Sequence, residues 1–148
     1  MSDVSDRRVD LVRDSRLQFT ATNSRGGTLS FGSGADGEFT PVELLLVAIA
    51  GCTGMDVDAI TSKRAEADHF EVSATADKVR DEHGNHLTNI LINFEVRFPD
   101  GERGAAAEAV LPIAIQKSHD RLCTVTRTVE LATPVTSTLR SSAVEGVE

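Results

Sequence analysis

The stretch Phe39–Ile60, FTPVELLLVAIAGCTGMDVDAI, decides how the rest of the chain is read. Thr40 is a good N-cap, Pro41 suits the first helical position, and Glu43 follows Thr40 by three residues, completing a Thr-x-x-Glu capping box. Each side chain of such a box satisfies a backbone N–H at the other's position, so Glu43 reads first as a cap. From Leu44 to Cys52 there is no charge on any side, which predicts a helix buried all round. Gly51 and Gly54 each cost about 1 kcal/mol relative to Ala in a helix interior. Beside a cysteine they predict another backbone passing very close, either the second helix of this chain or the same helix of a partner subunit. Cys52 shares its face with Ala48, Ile49, Met55 and Asp56. It lies about three turns into the helix, beyond the reach of the helix dipole. Apolar surroundings raise a thiol pKa, so this helix alone makes Cys52 a packing thiol unless the fold brings it positive charge.

On either side of this helix the sequence alternates. RLQFTAT turns Leu17, Phe19 and Ala21 inward, NSRGG reverses the chain, and TLSF offers Leu29 and Phe31, a hairpin pattern. Beyond the helix, HFEVSATADKV and HLTNILINFEVRF flank the turn DEHGN. In the second of these, Ile90, Ile92, Phe94, Val96 and Phe98 lie on one face and Leu91, Asn93, Glu95 and Arg97 on the other, so one face is buried and one wet. A second helix is expected from about Glu102 to Leu122, kinked by Pro112. TPVTSTL suits a last strand. This order of strands, helix, strands, helix and strand describes an α+β domain, a single one over residues 1–148, with frayed ends at about 1–8 and 141–148.

The formal net charge of -8 argues against a sequence-independent nucleic-acid binder and against an anionic membrane surface. The first residues lack the apolar core of a secretion signal. No apolar run reaches the roughly 18 residues of a membrane span, so a cytoplasmic protein is expected. Trp and Tyr are absent, leaving the core to aliphatic residues and six Phe. The two cysteines, Cys52 and Cys123, stand 71 positions apart. Without CxxC or HxxH spacing a four-ligand structural zinc site is not expected, and a permanent disulfide is unusual in a reducing compartment. Two inert thiols or one redox pair remain.

Cys123 sits in KSHDRLCTVTRTVEL, where Lys117, His119, Arg121 and Arg127 form a basic cluster in an acidic chain. Such cations lower a thiol pKa if they are also close in space; otherwise they mark a solvated helix end. His119 and Cys123 have i,i+4 spacing, which admits a Cys–His hydrolase pair, although no third group to orient the histidine is evident.

Taken together, PVELLLVAIAGCTGMDV and SHDRLCTV resemble the OsmC/Ohr family, the osmotically inducible and organic-hydroperoxide-resistance proteins, and specifically its OsmC-like branch. The match runs from the first hairpin to the last expected strand. Its most specific elements are the Pro-x-Glu-Leu opening eleven positions before Cys52, and the Cys-x-Val at Cys123. The resemblance implies an intertwined homodimer, with curved antiparallel sheets wrapped around two long central helices and the active sites at the subunit interface. It implies a thiol-dependent peroxidase that reduces organic hydroperoxides in oxidative stress defence. Cys52 becomes a sulfenic acid, Cys123 resolves it to a disulfide, and an external dithiol, often a lipoyl protein, restores both thiols; no metal and no bound cofactor are implied. The close packing at Gly51 would let the second helix bring Cys123 to Cys52.

Peroxidase members carry a glutamate directly after the proline, where this chain has Val42; Glu43 matches a glutamate of the wider OsmC-like branch. Thr124 stands where a proline often follows the second cysteine. Glu43 and Arg25 of NSRGG are the candidate supporting residues. The alternative is a non-catalytic protein that holds a small apolar or acyl ligand at the dimer interface.

Overall fold

Strands β1 (Val9–Ser15), β2 (Gln18–Asn23) and β3 (Thr28–Gly32) form an antiparallel sheet in that order. Helix α1 (Pro41–Thr61) leads to the long antiparallel hairpin of β4 (His69–Asp81) and β5 (Gly84–Arg97). Helix α2 (Glu102–Lys117), a π-helical turn over Ser118–Leu122 and a short helix α3 (Thr124–Glu130) follow. This computed structural model describes residues 2–140. The alternation expected of the hairpins is observed. Phe19 pairs with Phe31 across β2–β3, and Ile90, Ile92, Phe94 and Val96 of β5 turn inward while Leu91, Asn93, Glu95 and Arg97 are exposed.

The start of α1 follows the sequence signal closely. Glu43 N–H donates to Thr40 Oγ1 at 3.2 Å, and Thr40 N–H donates to Glu43 Oε1 at 3.0 Å, so the capping box closes from both sides. The expected all-round burial does not occur within the protomer. Ile49, Thr53, Val57 and Thr61, spaced by four, form the buried stripe facing α2 and β4. On other faces Val42, Leu45, Val47 and Met55 are exposed, Met55 by 75%. A Cβ on Gly51 would meet nothing within 4 Å, which rules out the close approach of α2 there. Gly54 has only ordinary side-chain contact, 3.4 Å to Val72 Cγ2. By length and composition α1 is also apolar enough to cross a membrane, contrary to the expectation, and in the protomer one stripe of it packs against β4 and α2.

The tight backbone contact lies at Gly104 instead. It is buried in the first turn of α2, where a Cβ would collide with the carbonyl oxygen of Pro99. A backbone atom cannot rotate away, so Gly104→Ala is expected to cost about 1–3 kcal/mol or more. A denaturation midpoint equal to that of the parent protein would contradict this reading.

The remaining elements differ in part from the expectation. Helix α2 continues through Pro112 to Lys117, and the expected run to Leu122 is completed by the π-helical turn Ser118–Leu122. Residues 133–139 form no strand: β-branched residues make a strand only against an available edge, and among the described residues no strand pairs with them. β1, unread in the sequence, pairs with β2 from Val9 to Ser15. The expected C-terminal frayed end lies outside the described residues.

Candidate functional site

The site forms where the end of α2 unwinds against the middle of α1. Cys123 N–H donates to the Ser118 carbonyl at 2.8 Å, a bond five residues back that widens the last turn into a π-helix. The chain then becomes extended at Cys123 (φ -72°, ψ 100°), and its side chain caps α3 by accepting Thr126 N–H at 3.3 Å. This turn points the Cys123 sulfur at α1. There Thr53 Oγ1 donates to it at 3.4 Å, and the thiol donates to Thr126 Oγ1 at 3.2 Å.

Cys52 Sγ, Cys123 Sγ and a carboxylate oxygen of Asp56 all lie within 4.8 Å of one another. The two thiols are free, Cys52 half-buried and Cys123 without exposed surface. Asp56, one turn beyond Cys52 on the same face, accepts a hydrogen bond at 2.9 Å from the hydroxyl of buried Ser118. Thus the sequence-distant cysteines meet through the π-turn, not through close packing at Gly51.

The two thiols are electrostatically unequal. Burial pushes the Cys52 thiol up; the Val125 backbone N–H counteracts this, while Cys123 and the Asp56 charge add to the rise. Burial also opposes ionisation of Cys123. Hydrogen bonds from Thr126, Thr53 and the Cys52 thiol outweigh it and hold Cys123 below the usual thiol range. The two thiols lie close enough that their first ionisation belongs to the pair rather than to either sulfur.

The other sequence candidates lie elsewhere. Glu43 spends its carboxylate on Thr40, through both the backbone N–H and the hydroxyl. Arg25 is exposed in the β2–β3 turn, its backbone N–H held by Asn23 Oδ1 at 2.9 Å. Neither hydrogen-bonds a thiol within the protomer. The helix does not persist from His119 to Cys123, so the expected shared face is lost. A third group does exist, but it takes the histidine away from the thiol: His119 Nδ1 meets Asp120 at 2.9 Å and Nε2 meets Glu130 at 2.8 Å. The basic cluster of the sequence is thus a solvated surface rather than a thiol-activating one. Thr53, Thr126, Ser118 and the Val125 N–H were not found from sequence, because only the π-turn brings them to the sulfurs.

Asp120, then Glu130, raise the His119 pKa above its ordinary value. A raised folded-state pKa stabilises the fold fully below the unfolded histidine value of about 6.5, and that stabilisation is lost as pH rises through the folded value. NMR titration is expected to give His119 a midpoint above 6.5, moving down in Glu130→Gln. A midpoint unmoved by this substitution would contradict the contact.

Beside the thiols lies a cavity of about 480 Å³. Its floor is apolar, with Ile49, Ile90, Ile92, Phe94, Ile115 and Val129, and its rim includes His119, Glu130, Gln116 and Asn89. Thr53 and Thr126, the hydroxyls bonded to Cys123, form part of its wall. A bulge shapes the rim: Asn89 takes a left-handed conformation (φ 53°) and donates to Asp77 Oδ2 at 2.8 Å, where the β4–β5 register shifts.

Comparison with known proteins places the fold. An uncharacterised protein of Mycobacterium tuberculosis is 31% identical over 127 residues, covering 83% of this chain and 88% of the relative. An OsmC-like protein of unknown function from Vibrio cholerae superposes with a TM-score of 0.70 at 15% identity, over 86% of this chain and 95% of that one. An organic hydroperoxide resistance protein OsmC from Legionella pneumophila shares the fold with a TM-score of 0.54 at 10% identity, over 86% and 91% of the two chains. The family model described as OsmC-like protein matches residues 33–138, taking in α1, the long hairpin and both cysteines, and the chain belongs to the OsmC-like family.

Proposed function

We propose that the protein is a thiol-dependent peroxidase that reduces organic hydroperoxides through Cys52 and Cys123, working as a homodimer. The observation that carries this reading is the meeting of two free thiols, 71 positions apart in sequence, within 4.8 Å at an irregular helix end. Cys52 is the attacking sulfur, because it alone of the pair has exposed surface. Its proton passes to the Cys123 thiolate as its sulfur attacks the outer peroxide oxygen. The O–O bond breaks, Cys52 becomes a sulfenic acid, and the leaving alkoxide takes the proton back from Cys123 to give the alcohol. The Cys123 thiolate then attacks the Cys52 sulfur. A disulfide forms, and hydroxide leaves to become water with a proton from solvent. An external dithiol, such as a lipoyl group, returns the disulfide to two thiols by exchange. The apolar cavity beside the pair favours an alkyl or aryl hydroperoxide over hydrogen peroxide.

Homodimerisation is supported by the apolar residues that the protomer leaves open along Val47, Gly51 and Met55, and by a β1–β3 sheet that packs chiefly on itself. The second reading is a binding protein for a small apolar or acyl ligand. It is favoured by the cavity itself, whose wall presents threonine hydroxyls rather than either sulfur. Turnover separates the two: with a dihydrolipoyl reductant in excess, the protein is expected to consume cumene hydroperoxide catalytically. Retention of an apolar ligand with no consumption would leave the binding reading in its place.

A further inference from the structure

We propose that the reduced Cys52–Asp56–Cys123 cluster binds one soft divalent cation of the zinc class, with the two thiolates and the carboxylate as three ligands. The donor atoms already lie within 4.8 Å of one another. Around a tetrahedral zinc ion, sulfur at about 2.3 Å and oxygen at about 2.0–2.2 Å stand roughly 3.5–3.8 Å apart, so small side-chain rotations close the site. Cys52 and Asp56 supply a chelating pair one helical turn apart on α1, and Cys123 completes it from the far end of the sequence.

The surroundings fit a cation. Ser118 Oγ donates to Asp56 Oδ2 at 2.9 Å, which orients the carboxylate. Thr53 Oγ1 and Thr126 N–H donate to Cys123, so this thiolate has neutral support. Among the described residues no lysine or arginine hydrogen-bonds or salt-bridges any of the three ligands. Asp56 is otherwise hard to place: beside a thiol that must ionise to attack peroxide, a carboxylate opposes the chemistry. With a divalent ion present, the same carboxylate becomes a ligand, and the ion offsets two of the three negative charges. Spacing rules pass over this site, because they look for four close Cys/His ligands.

Metal binding and thiol oxidation then exclude one another. The metal-bound dithiolate, one organic hydroperoxide and two protons yield the disulfide, the alcohol, water and the free divalent ion. The metal keeps its charge, and the sulfurs supply both electrons.

The test is titration of reduced, metal-free protein with Co2+ alone, which needs no turnover and so is independent of the peroxidase reading. One equivalent per chain is expected to produce thiolate-to-cobalt charge-transfer bands and tetrahedral d–d bands, both bleached by Zn2+. Asp56→Asn is expected to weaken Co2+ binding by at least about tenfold with its fold intact, and Cys52→Ser to lose about half of the charge-transfer intensity. Absence of these bands in the parent protein, or unchanged affinity in Asp56→Asn, overturns the three-ligand site. Adding cumene hydroperoxide to the cobalt form is expected to bleach the bands and release the metal; bands that persist contradict the exclusion between metal binding and oxidation.

Discussion

Cys52→Ser is expected to abolish hydroperoxide turnover, with no sulfenic acid detectable at Cys123. Cys123 has the lower thiol pKa of the pair, and on charge alone it would be chosen as the nucleophile. It has no exposed surface, however, and Thr53 and Thr126 hydroxyls lie against its sulfur. A peroxide oxygen must approach in line with the attacking sulfur, and only Cys52 offers that access. Cys123→Ser is expected to behave differently. It should consume about one equivalent of hydroperoxide per chain and then stall, with Cys52 held as sulfenic acid or driven to sulfinic acid. Because Cys123 also accepts the Cys52 proton, the first equivalent should react more slowly than in the parent protein at neutral pH and recover as pH rises toward the Cys52 pKa. Equal single-turnover rates in the two variants would contradict the division of roles.

Val47→Glu is expected to convert a dimer into a monomer without melting α1. Val47, Gly51 and Met55 recur every four residues on the exposed side of the helix, with Ala48 beside them and no charge among them. A glutamate on this face meets only solvent in the protomer. In a helix-to-helix interface it is an uncompensated buried charge, at a cost of about 3–5 kcal/mol. That corresponds to more than a hundredfold in dissociation constant. Gly51→Leu should act in the same direction, since its side chain has free space in the protomer and none at a close crossing. Sedimentation velocity with far-ultraviolet circular dichroism separates the outcomes. Dimers that persist in both variants would move the interface away from α1.

The parts of the fold that the sequence made legible are those with local causes. The capping box at Thr40 and Glu43 states its own hydrogen bonds, and the alternation from Ile90 to Val96 states which face of β5 is buried. What escaped depends on partners distant in sequence. The π-turn at Ser118 leaves no side-chain signature, because its defining bond joins two backbone groups. Its consequence is large: it moves His119 off the Cys123 face and brings Cys123 to Thr53 and Cys52. The segment TVTRTVE is rich in β-branched residues yet forms α3, where the Cys123 side chain caps the first turn by accepting Thr126 N–H. Gly51 was only partly legible for a related reason: a small residue admits a close approach without saying which chain makes it, and the protomer removes only the second helix. The cysteine pair was legible through family resemblance alone, whereas Asp56, visible at Cys52 plus four, had no assigned chemistry until the fold brought the second sulfur beside it.

The most direct measurement is intact-mass and peptide mass spectrometry of the reduced protein before and after one equivalent of cumene hydroperoxide. A working dithiol pair gives loss of two hydrogens from the chain, a Cys52–Cys123 disulfide in the peptide map, and one equivalent of cumyl alcohol. Both thiols still alkylatable after exposure, or a stable oxygen adduct on Cys123 with Cys52 untouched, would contradict it.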